Sequence, residues 1–332
     1  MILAGDFEVS VPFMDETVQI RIHGDASKPA LIYLPGLHGD WTLVPGFRLA
    51  LGGRVRFVEF TYPRTLAWSL EAYADAIEQS LSQHGITRGW LLGESFGSQV
   101  AWTLVRRERG GGSGTMEDTG RGRGDGFPPR PLLPAFQADG LILAGGFVKH
   151  PFKWGVQLAG TFARGVSLTW LTRLLFVYAK ASRWRFRNSP EVVAGIEAFV
   201  SRRTELDKLA AVHRLRLIAA NDPRPIARQT TMPVHHLAGL WDPVVPWPWV
   251  RSGLRRECPG WRGGRLVLFA DHNVLGTAPR DAAEQVLAWM CAKSSDFPKS
   301  RETSEGGENA DAVLECRGYS PTAFVEAGAG TS

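Results

Sequence analysis

At 332 residues the chain is long enough to bury a full hydrophobic core, as one large domain or two ordinary ones. Its 44% hydrophobic and 21% charged residues exclude a fibrous or wholly disordered protein. A formal charge of +5 does not call for a nucleic-acid partner and none is expected, while three dispersed cysteines (Cys258, Cys291, Cys316) argue against a disulfide framework or a structural metal.

The first residues lack a basic stretch followed by an apolar run, so no signal peptide is expected. The nearest candidate for a membrane span, residues 165–179, is short and carries Arg173, and the expected location is cytoplasmic. Residues 8–12 and 18–23 read as short strands about a turn at Asp15-Glu16. Residues 30–34, Ala-Leu-Ile-Tyr-Leu, form a continuous apolar strand that runs into Pro35-Gly36-Leu37-His38-Gly39-Asp40. Residues 54–60 read as another strand. Residues 69–84 read as a helix, with Leu70, Tyr73, Ala76, Ile77 and Leu81 near helical spacing and Ser69 near its start. Strands and helices alternating at this pace predict a parallel sheet covered on both faces.

A short apolar run, Trp90-Leu91-Leu92, then enters Gly93-Glu94-Ser95-Phe96-Gly97, and a helical pattern leaves it. That is strand, sharp turn, helix, with a serine at the apex. A β-carbon at position 93 or 97 would clash in so tight a turn, and Ser95 should carry strained dihedrals. With 37 glycines in the chain the pentapeptide alone is a weak signal; its setting strengthens it.

Residues 106–138, rich in Gly, Arg and Pro, cannot bury a core and read as a disordered insertion. Residues 140–145 restore a buried strand. Residues 147–228 show helical stretches, many aromatics and no strand signal, with Ser189-Pro190 opening one helix. Residues 148–228 hold 15 Lys or Arg against 5 Asp or Glu. This segment reads as a basic, aromatic helical lid that packs on itself or faces lipid or an anionic substrate. Strands follow at 233–239 and 264–269, and a helix at 281–291 capped by Asp281. From 294 the chain reads as a disordered tail. The expected organisation is a core of residues 1–146 and 229–293, a lid at 147–228 and a tail at 294–332.

A serine hydroxyl is a poor nucleophile unless a base lies within hydrogen-bond reach, and that base needs an orienting acid. His272 follows the last strand, and Asp242 lies just past the strand before it, in Gly239-Leu240-Trp241-Asp242-Pro243. Asp271 is a rival acid, although neighbours in sequence point their side chains apart. Of the other histidines, His38 reads as loop packing, His235 and His236 as strand residues with at least one packed inward, and His150 and His213 as lid residues. Glu94 either tunes the site or faces a neighbouring strand or water.

The chain resembles the α/β-hydrolase superfamily. The resemblance runs from about residue 8 to residue 291 apart from the insertion, and rests on Leu34-Pro35-Gly36-Leu37, the Ser95 pentapeptide, Gly239 to Pro243, and Asp271-His272. It implies the fold class: an α/β-hydrolase fold, a mostly parallel central sheet with helices on both faces and an inserted helical lid. It also implies a triad of Ser95 as nucleophile, His272 as base then acid, and Asp242 holding the imidazole. Backbone N–H groups of Leu37 and Phe96 would form the oxyanion hole, with Asp40 the alternative in the register of His38-Gly39. No cofactor or metal is expected, and the expected partner is a small-molecule acyl substrate. Serine at the elbow argues against dehalogenase and epoxide-hydrolase chemistry. Ester, thioester or lactone hydrolysis, carbon–carbon hydrolysis, acyl transfer, lyase chemistry and ligand binding without turnover stay open, as does the oligomeric state. Membrane-surface contact through the basic lid is a further reading without support from the residues alone.

Overall fold

The structure, a computed structural model, describes residues 17–110, 136–170, 172–173, 176–177, 180 and 201–292. The chain divides into two units, Met1–Met290 and Cys291–Ser332, and only residues 291 and 292 of the second are described. The strand expected at 8–12, the bulk of the insertion, the helix start at Ser189 and the tail from 294 lie outside the described residues.

Seven strands form one sheet: β1 (Gln19–His23), β2 (Ala30–Leu34), β3 (Arg56–Thr61), β4 (Arg88–Glu94), β5 (Gln137–Ala144), β6 (Val234–Gly239) and β7 (Trp261–Val267). Their order is β1-β3-β2-β4-β5-β6-β7. Only β1 pairs antiparallel, with β3, and every other pairing is parallel. All five residues of β2 are buried, as a parallel strand covered on both faces requires. Side chains alternate between two apolar layers. Ile32, Leu34, Val58 and Phe60 pack with Tyr73 and Ile77 of α2 (Leu70–Gln83) and Val100 and Trp102 of α3 (Gly97–Gly110). Leu31, Tyr33, Phe57 and Leu92 pack with Phe47 of α1 (Pro45–Leu51) and Val286 of α9 (Pro279–Cys291).

Between β5 and β6 the described residues form α4 (Lys153–Gly165), α5 (Glu205–Ala220) and α6 (Arg224–Gln229), with no strand among them. The remaining helices are α7 (Trp247–Glu257) and α8 (Val274–Thr277). Ser69 caps α2 by accepting from Ala72 N at 3.2 Å, where the sequence puts the helix start.

Several boundaries move. α3 continues to Gly110, five residues into the stretch read as insertion, because Arg107 is held by Glu71, Asp75 and Glu78 of α2. The last strand is Trp261–Val267 rather than 264–269, since its pairing with β6 starts at Val234↔Trp261, a bulge takes up Arg262, and Gly263 and Gly264 pair with His235 and His236. Asp281 is not the cap of α9 but lies in its first turn, where its charge favours the helix dipole.

Both histidines of β6 are fully buried, not one alone. His235 stacks on Trp289 at 4.5 Å and on Trp90 at 6.0 Å. Burial, aided by the charges of Arg262 and Arg251 respectively, pushes His235 down to about 4 and His236 down to about 3. A histidine depressed in the folded state stabilises above its unfolded value of 6.5, and that contribution is lost as pH falls toward the folded value. Stability should therefore decline by roughly 3 kcal/mol per pH unit for the pair between about pH 6 and pH 4. His235→Phe should remove about half of that slope in pH-dependent thermal unfolding. Equal slopes for variant and wild type would refute this origin.

Candidate active site

Parallel strands bring their carboxyl ends to one edge, and the chain reverses its order of strand addition between β2 and β4, the place where open sheets form ligand sites. The turn after β2 carries Leu37, the turn after β4 carries Ser95, the loop after β6 carries Asp242 and the loop after β7 carries His272. Four residues far apart in sequence thus meet at one sheet edge.

The turn at Ser95 is tight for a measurable reason. A β-carbon at Gly97 would stand 2.0 Å from Leu34 O, and one at Gly93 would stand 2.8 Å from Ser98 Cα. Ser95 is the non-glycine residue at positive φ among the described residues, at 48°. Such backbone is costly for a side-chain-bearing residue and persists only where its surroundings enforce it. Ser95 N donates to Ala144 O at 3.1 Å, and Ser98 N to Ser95 O at 3.0 Å, so sheet and helix hold the turn from both sides.

The hydroxyl of Ser95 lies 2.9 Å from His272 Nε2. His272 Nδ1 lies 2.8 Å from Asp242 Oδ2. The other carboxylate oxygen of Asp242 accepts from Val244 N at 2.8 Å and Val245 N at 2.9 Å, so the carboxylate faces the imidazole in a fixed orientation. The structure brings Ser95, His272 and Asp242 into one hydrogen-bonded chain. Asp271 is not part of it: its carboxylate accepts from Asn273 N at 3.0 Å and from Thr277 Oγ1 at 3.3 Å, which pins the start of α8.

No family model matches the chain, and no curated protein does. Solved structures do. A hydrolase from Pseudomonas aeruginosa is 14% identical with a TM-score of 0.61, over 84% of this chain and 98% of that one. An enol-lactonase from Burkholderia xenovorans is 17% identical with a TM-score of 0.61, over 83% and 96% of the two chains. An esterase from Thermogutta terrifontis is 18% identical with a TM-score of 0.59, over 82% and 92%. This is the α/β-hydrolase fold.

Within the α/β-hydrolase fold, the turn after β2 lies against the serine: a β-carbon at Gly36 would stand 3.4 Å from Ser95 Cβ. Among the described residues the backbone N–H groups of Leu37 and Phe96 have no backbone acceptor, which leaves them available to a ligand oxygen. The backbone N–H of Asp40, the alternative, likewise has no backbone acceptor among the described residues, while its carboxylate accepts from Thr42 N at 2.9 Å and Arg203 at 3.0 Å.

The electrostatics bias the imidazole. Burial lowers the affinity of His272 for a proton, but the hydrogen bond and charge of Asp242, with the carboxylates of Glu94 and Asp271, outweigh it and leave it raised above 6.5. Asp242 is pushed up by burial, yet the His272 hydrogen bond and the Val244 and Val245 N–H groups leave it lowered.

Glu94 faces the neighbouring strand β2 rather than water. Its buried carboxylate accepts from Tyr33 OH, and His38 Nε2 lies 3.4 Å from that hydroxyl and 3.8 Å from Glu94 Oε2. Because Tyr33 gives its proton to Glu94, its oxygen is left as an acceptor on the side of His38. His38 thus packs in the loop, in a polar cluster behind Ser95. His213 contacts Trp68 O at 2.8 Å, and His150 contacts Val244 O at 3.2 Å, beside the Asp242 loop.

Sequence reasoning missed Arg214. It projects from α5, is 2% exposed, and donates to Leu37 O at 2.8 Å and Pro63 O at 3.0 Å. An arginine in a helix of mixed polarity carries no signal of burial; the hint is Gly39, where a β-carbon would stand 2.5 Å from the guanidinium.

Proposed function

We propose that the chain is a serine hydrolase that cleaves a small or medium acyl ester through an acyl-enzyme. What supports this reading is the unbroken path from Ser95 Oγ through His272 to Asp242, at 2.9 Å and 2.8 Å, on a serine held at positive φ. His272 Nε2 takes the hydroxyl proton as Ser95 Oγ bonds to the acyl carbon. The Leu37 and Phe96 N–H groups receive the oxyanion. His272 then returns the proton to the departing alkoxide, and a water activated by the same nitrogen releases the acid. Asp242 keeps Nδ1 protonated and stabilises the imidazolium formed midway. The helices between β5 and β6 act as the lid. Among the described residues of these helices and the turns beside them, Phe152, Trp154, Phe162 and Trp170 are exposed.

Incubation with short-chain p-nitrophenyl esters should give a burst of p-nitrophenol with free acid as the second product, and a fluorophosphonate should label Ser95. Absence of both labelling and turnover across an ester-length panel would overturn the reading. Transfer of the acyl group to an acceptor other than water would replace hydrolysis by acyl transfer on the same groups.

A further inference from the structure

Apolar residues of the helical segment between β5 and β6 gather on one surface. On α4, Trp154, Leu158 and Phe162 follow one another at helical spacing and are 68%, 62% and 57% exposed. The opposite side of the helix, Val156 and Gly160, is buried, and Gly160 faces Leu215 of α5. So α4 has an inner face that packs and an outer apolar face that stands in solvent, the reverse of what a surface helix ordinarily presents. The patch continues past the helix start, where Phe152 meets Trp154 at 6.3 Å and Trp249 of α7 at 6.1 Å.

The sequence that carries α4 is cationic. Residues 148–190 contain eight Lys or Arg and no Asp or Glu. Lys149 is neutralised by Asp222 at 2.7 Å. Lys153 and Arg164, at the two ends of the apolar stripe, have no ion-pair partner among the described residues. A second copy of the chain is a poor occupant, because a two-fold contact through this face would set these cations against their own copies. Nucleic acid would meet the cations but leave Leu158 and Phe162 unused.

We propose that the outer face of α4 docks on an anionic phospholipid bilayer surface. Trp154, Leu158 and Phe162 enter the boundary between headgroups and acyl chains, where tryptophan is favoured, while Lys153 and Arg164 meet lipid phosphates. The helix lies in the plane of the membrane; among the described residues no helix is long and apolar enough to cross it. His150, three residues before α4, contacts the loop of Asp242, so docking would set the bilayer beside the approach to the site. The inference rests on this surface alone and stands whether or not Ser95 turns over an ester.

Flotation of the full chain with vesicles decides it. Vesicles of phosphatidylcholine mixed with phosphatidylglycerol should carry the protein upward, phosphatidylcholine alone much less, and high salt should reverse the binding. The triple variant Trp154→Ser, Leu158→Ser, Phe162→Ser should bind at least about tenfold more weakly. Lys153→Gln with Arg164→Gln should lose about fivefold per cation. Circular dichroism and thermal unfolding of each variant establish that it is folded, and hydrolysis of a water-soluble ester reads the proposed activity separately. Failure of wild type to float with anionic vesicles, binding indifferent to lipid charge and salt, or undiminished flotation of the folded triple variant would each overturn the proposal. So would a self-association that the triple variant abolishes while vesicles stay unbound, which would make the face a contact between copies.

Discussion

Ser95→Ala is expected to lower kcat/KM toward a p-nitrophenyl ester by about 10⁴- to 10⁶-fold, and His272→Ala to do nearly the same, because the two groups act as one unit. Asp242→Asn should cost about 10⁴-fold, since the amide leaves the imidazole free to adopt the wrong tautomer. The pH profile separates this mechanism from general loss of structure. Only neutral His272 accepts the serine proton, and its proton affinity is raised, so activity should be lost as pH falls through a midpoint above 6.5. In Asp242→Asn the hydrogen bond and charge that raise it are gone, and the surviving acidic limb should move down. The same pair has a stability signature with a definite sign. A raised histidine stabilises below its unfolded value of 6.5, and the contribution is lost as pH rises through the folded value. The lowered Asp242 stabilises above 3.8, and its contribution is lost as pH falls through the folded value. The full contribution of the pair therefore lies between 3.8 and 6.5. Ser95→Gly is the sharpest control. It should be inactive yet raise the unfolding midpoint, because glycine at φ 48° relieves about 1 kcal/mol of backbone strain. A Ser95→Gly protein that keeps ester turnover would remove Ser95 from the chemistry altogether.

The parts of the molecule legible from sequence are those whose physics is local. β2, β4 and β5 lie inside a parallel sheet with both faces covered, so each holds a continuous apolar run that marks its position, while β6 is buried in the same way with two histidines in its run. β7 is an edge strand with Arg262, Gly263, Gly264 and Arg265 in its middle, and nothing local marks it before the apolar residues at its end. α7 begins Trp247-Pro248 directly after Pro246, a run that reads as a turn until the prolines are seen to sit at the helix start. Ser95, Asp242 and His272 could be named because a Gly-framed turn, a strand-end acid and a strand-end histidine each carry a local mark. Tyr33, Glu94 and His38 could not be joined, because only the register Leu34↔Gly93 between β2 and β4 sets the tyrosine and the glutamate side by side.

Arg214 makes the same point and yields the second large effect. Its guanidinium is buried, lies 5.6 Å from the centre of the Tyr62 ring, and has no carboxylate in ion-pair contact among the described residues. Its charge is met instead by the carbonyls of Leu37 and Pro63, so it ties the turn after β2 to the chain that follows β3. Arg214→Met keeps the aliphatic stem and removes the donors, leaving two carbonyls unpaired at about 1–3 kcal/mol each. The Leu37–His38 peptide would then lose its anchor beside the proposed Leu37 N–H donor, and a displacement of that donor by about 1 Å costs on the order of 10² in rate. Measured well below the unfolding midpoint of the variant, kcat should fall while KM stays near the wild-type value, because the oxyanion forms only after attack. A boronic acid that forms a tetrahedral adduct on Ser95 should lose affinity in parallel with kcat/KM, whereas binding of the product acid should be little changed. Arg214→Lys should recover part of the rate, since one ammonium reaches one carbonyl where the planar fork reaches two. A fall in stability with kcat and boronate affinity unaltered would make Arg214 a structural bolt with no hold on the oxyanion turn.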